Sequence, residues 1–276
     1  MNIKLICIDM DGTLLMDQQN ISRENKDAIK EAIAKGIHIA ITTGRVYDCA
    51  KLYSDEIGLK TPIIASNGAF IGGSNGEVIY RNPLNCNEVY DFLNITSKYN
   101  LYAYLTANFG IVSATELPEN HIYKVLNKKL KDDGKIKLKV IDNIADACHL
   151  YPNELLKGVC VEKEDTEKLM RAKCELKKLN PELEIVSSWD DNFEIMKKGS
   201  SKGEAVARLA KYYNLKIDEI MCIGDSENDL SMIEYAGVGV AMGNAIDKVK
   251  KAAQYVTSPN TESGVAKAIR KFALKS

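Results

Sequence analysis

The chain has 276 residues, 45% of them apolar, and its 37 Lys and Arg nearly balance 38 Asp and Glu. That length exceeds one typical core and suits two, and the balanced charge gives no general attraction to nucleic acid. No apolar run approaches the ~20 residues of a membrane span, so the expected setting is the cytoplasm, with any anionic ligand held by a local site.

Residues 3–8 form an apolar run that reads as a buried strand. Ser22 is placed to cap a helix carrying Ala28, Ile29, Ala32 and Ile33 on one stripe, with Gly36 at its end. Residues 37–42 read as a second strand, 46–57 as a helix and 62–66 as a short third strand. The same grammar returns late. A helix is expected over 202–213, a strand over 220–223 and a helix over 230–236. Short strands follow at 238–242 and 254–257, and a closing helix over 262–274. Continuous apolar strands alternating with amphipathic helices predict a parallel sheet covered on both faces. Between 82 and 190 the chain is richer in Lys, Glu and Asn. Its strands, at 101–105, 136–141, 158–162 and 184–188, are more amphipathic, and helices are expected over 87–99 and 165–179. The expected fold class is α/β. A doubly wound parallel-sheet core is formed by residues 1–81 and 191–276, with an α+β domain, residues 82–190, inserted into it.

Seven cysteines, an odd number without a CxxC pair, speak against a zinc site or a disulfide framework and for a reducing compartment. The first residues carry no signal-peptide pattern. Seven lysines between 124 and 139 read as a solvated face. The three histidines show no ligand spacing. Trp189 falls near the domain junction, where it either packs a hinge or faces substrate, and Tyr99, Tyr102 and Tyr104 read as core of the inserted domain.

In parallel α/β sheets, ligands gather beyond the carboxyl ends of the strands. Three such ends carry polar clusters: Asp9-Met10-Asp11-Gly12-Thr13, Thr42-Thr43-Gly44-Arg45 and Gly224-Asp225-Ser226-Glu227-Asn228-Asp229. Together they point to phosphoryl transfer with Mg2+. Asp9 and Asp225 offer the hard oxygen ligands that magnesium takes. A carboxylate fixed at a strand end, as Asp9 is, can attack phosphorus. Asp11, two residues on, is placed to act as acid and then as base. The Thr43 hydroxyl and the Gly44 N–H can hold the transferring group. The required cation is Lys197, Lys198 or Lys202. Lys202 is preferred because it opens a helix, but spacing alone does not decide.

Four ordered motifs, DMDGT at 9–13, TTGR at 42–45, SSKG at 200–203 and GDSENDLSM at 224–232, resemble those of the haloacid dehalogenase (HAD) superfamily. Their order and the large insertion resemble its Cof-type phosphatases with a type IIB cap. The resemblance implies an HAD-like Rossmannoid core and Mg2+-dependent hydrolysis of small phosphomonoesters through an aspartyl-phosphate. Sugar phosphates are the leading substrate class, with nucleotide, flavin or pyridoxal phosphates behind. It implies Asp9 as nucleophile and Asp11 as general acid/base. The metal would be held by Asp9, Asp11 (through its carbonyl) and Asp225. Phosphate would be bound by the Met10 amide, Thr43, Gly44, Lys202 and Asn228, while Asp229 supports Lys202 and the metal shell. Ser226 stands where glycine is frequent. Two rival readings are a sugar phosphomutase of the same superfamily and a non-catalytic phosphometabolite sensor. The intact Asp9 and Asp11 speak against the sensor.

Overall fold

The computed structural model describes residues 2–17, 19–59, 61–130 and 135–274. In chain order the elements are β1 (Leu5–Asp9), α1 (Arg23–Ala34), β2 (His38–Thr42), α2 (Tyr47–Glu56), β3 (Ile63–Ala65), β4 (Phe70–Gly72) and β5 (Val78–Arg81). Then come α3 (Cys86–Lys98), β6 (Tyr102–Ala107), β7 (Gly110–Ser113), α4 (Ile122–Asn127), β8 (Lys137–Val140), α5 (Ala147–Leu150) and β9 (Leu155–Val161). They are followed by α6 (Thr166–Leu179), β10 (Leu183–Val186), β11 (Asn192–Lys197), α7 (Lys202–Tyr212) and β12 (Ile220–Gly224). The chain ends with α8 (Leu230–Tyr235), β13 (Val238–Ala241), α9 (Asp247–Ala252), β14 (Tyr255–Val256) and α10 (Gly264–Phe272).

Every residue of β1 is buried, as its unbroken apolar run requires for a strand covered on both faces. β1 lies inside an eight-stranded sheet of order β14-β13-β12-β1-β2-β3-β4-β5. The sheet is parallel from β14 through β3 and ends in antiparallel β4 and β5. Helix α1 starts where Ser22 accepts a hydrogen bond from the Asn25 N–H, 3.1 Å away, and it buries Ala28, Ile29 and Ala32. Loss of that cap costs about 1 kcal/mol. His38 is structural, stacked on Tyr213 with ring centroids 4.1 Å apart.

The register of the central strands sets the site. Asp9 stands opposite Thr42 of β2, and Ile8 stands opposite Ile223 of β12. The polar residues that follow these three strands therefore emerge at one sheet edge, on either side of the switch between β12 and β2.

A second, six-stranded sheet has the order β10-β11-β9-β6-β7-β8, antiparallel except where β7 meets β8. Phe92 of α3 and Phe193 of β11 pack edge to face beneath it, with centroids 6.2 Å apart. Its last strand in the chain, β11, lies beyond the 190/191 boundary expected from sequence, because Phe193 and Ile195 pair with β9 and bury in this sheet. The inserted sheet therefore extends to Lys197.

Cys86 and Cys148 pair as a disulfide, with Cα atoms 5.3 Å apart, where none is expected from the cysteine count and spacing. The pairing follows from the packing of α3 against α5, which are distant in sequence. Lys124 of the lysine-rich stretch forms ion pairs with Glu116 and Glu119, consistent with a solvated face; residues 131–134 of that stretch lie outside the described residues. Among the described residues, no helix is long and apolar enough to cross a membrane.

Candidate active site

After Asp9 the backbone leaves the strand through a wide turn, Met10–Leu14, closed by the Leu15 N–H on the Met10 carbonyl at 2.9 Å. Gly12 makes this turn with φ +78°, and a Cβ there would lie 2.5 Å from Asp225 Oδ2. Both the conformation and the space demand glycine. The turn brings Thr13 round so that its hydroxyl donates to Asp225 Oδ1 at 2.7 Å. Ser226 donates to Asp225 Oδ2 at 3.0 Å, so the hydroxyl that stands where glycine is frequent has a use. Each hydroxyl takes one lone pair of Asp225 and leaves others for a cation.

Lys202, the first residue of α7, is fully buried. Its ammonium group donates to Asp9 Oδ1 at 2.5 Å and to Asp229 Oδ1 at 2.6 Å. Burial alone would lower its pKa, but the charges of Asp229 and Asp9 outweigh that and hold it charged. Of the three lysines that spacing leaves open, Lys202 is the one whose ammonium group is seen to contact Asp9. Lys198 instead faces solvent in a pair with Glu182. Asp229 is also fully buried. Its second oxygen accepts the N–H groups of Asp225 (2.8 Å) and Ser226 (2.9 Å). With both oxygens committed, Asp229 orients Lys202 and the Asp225 backbone.

Burial first, then the charge of Asp229, pushes the Asp9 carboxyl well above its usual range, against the pull of Lys202. Asp9, Asp225 and Asp229 bring carboxylate oxygens within 4.8 Å of one another. Three buried carboxylates facing Lys202 leave an excess of negative charge. Their all-oxygen donor set would fit a hard divalent cation such as Mg2+, which Asp9 and Asp225 would hold.

The same crowding gives a pH-dependence. Burial, and then Asp229, pushes Asp225 up to about 6, against hydrogen bonds from Thr13 and Ser226 and the charge of Lys202. A folded-state value above the unfolded one means that the native state prefers the protonated form. The cost is absent below about pH 4 and complete above about pH 6, with an upper bound of roughly 3 kcal/mol. In a chelating buffer, urea unfolding should therefore show stability falling between pH 4 and pH 6, and Asp225→Asn should lessen that slope, the raised Asp9 carboxyl supplying the remainder. An unchanged slope in the variant would assign it to other groups.

Asp11 is placed differently from Asp9. Arg45, 7% exposed, grips both of its oxygens, with Nε donating to Oδ2 at 2.8 Å and Nη2 donating to Oδ1. Arg45 Nη1 in turn donates to Tyr53 Oη at 3.1 Å. Thr43 is fully buried, and its hydroxyl accepts the Arg45 N–H at 3.0 Å. Met10 is buried at the start of the turn.

Asp9, Asp11, Gly44, Arg45 and Asn228 line one wall of a cavity of about 320 Å3. The inserted segment supplies the facing wall, with Tyr104, Lys157, Asn192 and Glu194 from its sheet and His121 and Trp189 from its loops. Burial, with the charge of Lys124, lowers His121 to about 4, so this imidazole is neutral at physiological pH. Trp189, 56% exposed, faces this cavity. Sequence leaves Thr13, Arg45, Asn67, Lys157 and Glu194 without a role. Thr13 and Arg45 carry a local signal, as the last residues of DMDGT and TTGR.

Residues 6–269 match the family model for haloacid dehalogenase-like hydrolases. The chain belongs to that family. It is 36% identical over 276 residues to the 5-amino-6-(5-phospho-D-ribitylamino)uracil phosphatase YcsE of Bacillus subtilis, covering 99% of this chain and 97% of the relative. A haloacid dehalogenase-like hydrolase of B. subtilis superposes with a TM-score of 0.85 at 30% identity, covering 98% of this chain and 100% of that one. The HAD subclass IIB sugar phosphatase BT4131 superposes with a TM-score of 0.79 at 25% identity, covering 99% and 100%.

Proposed function

We propose that the chain is a Mg2+-dependent phosphatase that hydrolyses small phosphomonoesters through an aspartyl-phosphate on Asp9. The observation that carries this reading is the buried contact of Asp9 with Lys202, at the wall of a cavity that also presents Asp11, Gly44 and Asn228. Asp9 Oδ2, the oxygen not bonded to Lys202, attacks phosphorus in line. Lys202, Thr43, the N–H groups of Met10 and Gly44, and Asn228 hold the phosphoryl oxygens where negative charge builds. Bound between Asp9, the Asp11 carbonyl and Asp225, Mg2+ would add positive charge to the same oxygens. Asp11 turns from Arg45 to protonate the leaving oxygen, then takes a proton from the water that cleaves the acyl phosphate. Asp229 keeps Lys202 in place.

Residues 82–197 act as the cap, enclosing the phosphate and reading the leaving group. Asn120, Asn192, Ser188 and Asp191 line the cavity, as suits a hydroxyl-bearing carbon chain. By name, YcsE is a phosphatase of a phosphorylated ribityl compound and BT4131 a sugar phosphatase, and a phosphorylated sugar or polyol is the substrate class we assign. A screen of phosphorylated metabolites for phosphate release, with and without Mg2+, tests this. Release from sugar and polyol phosphates that stops in EDTA is expected. An isomeric ester in place of free phosphate would instead establish a mutase.

A further inference from the structure

Lys157 of β9 and Glu194 of β11 form an ion pair at 2.9 Å, with side chains 4% and 7% exposed. Removing two charges from water offsets much of their attraction, so a buried pair is a poor source of stability. Its position offers another explanation, because both members reach out of the inserted sheet into the core.

Lys157 Nζ donates to the Gly44 carbonyl at 2.7 Å. Gly44 has no side chain to restrict its rotation, and its N–H is one of the groups assigned to phosphate. Holding its carbonyl fixes the peptide plane that follows it and narrows the directions its N–H can take. Glu194 Oε2 accepts from Asn67 Nδ2, while Asn67 Oδ1 accepts from Asn228 Nδ2 at 3.1 Å. Asn228 is the other phosphate ligand on this side, and one of its two amide hydrogens remains for the substrate. Asn67 is 1% exposed. It sits in a turn where two successive non-glycine residues, Ser66 and Asn67, have φ of 48° and 53°. Such backbone persists only where its surroundings over-determine it. The two arms are packed together as well as bonded. A Cβ on Gly44 would lie 3.0 Å from Asn67 Oδ1 and 3.4 Å from Glu194 Oε2.

We infer that Lys157, Glu194 and Asn67 are positioning residues for the hydrolysis. They form a latch through which the inserted sheet aims the Gly44 N–H and the Asn228 amide at the phosphoryl group. The inference rests on the phosphatase reading. It requires the cap to control the chemistry even when the leaving group is too small for the cap to read.

Acetyl phosphate is such a substrate, and orthovanadate probes the phosphate site without turnover. Full-length Lys157→Met with Mg2+ should lose at least tenfold in kcat on acetyl phosphate and a similar factor in vanadate affinity, with Lys157→Arg recovering part of both. Because the single change strands Glu194, the double variant Lys157→Met/Glu194→Met separates folding from function. It should melt near the wild-type temperature and still show the loss. A folded double variant with wild-type kcat and vanadate affinity would overturn the inference. So would an effect confined to KM for larger esters, since that would make the pair a reader of the leaving group. A wild type that binds vanadate but releases phosphate from no ester would overturn the phosphatase reading, and the inference with it.

Discussion

Asp9→Asn is expected to end turnover and leave a folded protein. The amide has no anionic oxygen with which to attack phosphorus, and loss of a nucleophile typically costs about four or more orders of magnitude in kcat. The fold should tolerate the change. Asp9 is 4% exposed, and burial with neighbouring carboxylates already pushes it toward its neutral form. Asparagine has the same shape, keeps an oxygen for Lys202 and removes one crowded charge. Phosphate release and a thermal melt check both halves. Activity within tenfold of wild type would remove Asp9 as the nucleophile.

Lys202→Met should damage both stability and binding. The ammonium group is fully buried between Asp9 and Asp229, and its removal leaves two buried carboxylates facing each other. Breaking a buried pair in this way costs about 3–5 kcal/mol, and vanadate affinity should collapse because the cation beside the phosphoryl site is gone. Lys198→Ala is the control. Its pair with Glu182 is 60% and 66% exposed, so a change within about 0.5 kcal/mol is expected. Urea unfolding and vanadate titration of the two variants separate the effects. Equal losses in both would contradict the assignment of Lys202.

Much of the core was legible because its chemistry is local. The run Leu5-Ile6-Cys7-Ile8 needs cover on both faces, which makes β1 a central strand. Asp9 and Asp11 follow it within a few residues. Lys202 could be preferred on sequence because it opens a helix, yet only its burial against Asp229 separates it from Lys197 and Lys198. What stayed hidden depends on contacts distant in sequence. Thr13 finds Asp225 across 212 positions, and Lys157 finds Glu194 across 37. β11 was obscured because Asn192 and Glu194 break its apolar pattern. Both are buried, and Glu194 is held by Lys157 and Asn67 from elsewhere in the fold, with Ser188 adding a contact from the preceding turn. Asn67 carries no pattern at all. Its importance lies in a left-handed turn and in two partners, Glu194 on β11 and Asn228 in the turn after β12. β4 and β5 were missed because they are short, and β5 lies at the sheet edge with Val78 exposed.

The central claim is that Asp9 carries the phosphoryl group. It is tested most directly by quenching the enzyme in acid during turnover of a sugar phosphate and reducing it with borohydride. The peptide containing Asp9 is then examined by mass spectrometry. An acyl phosphate on Asp9 is reduced to homoserine at that position, and this product is predicted to require both substrate and Mg2+. Homoserine at another aspartate, or an unmodified Asp9 in an enzyme turning over at full rate, would contradict the account.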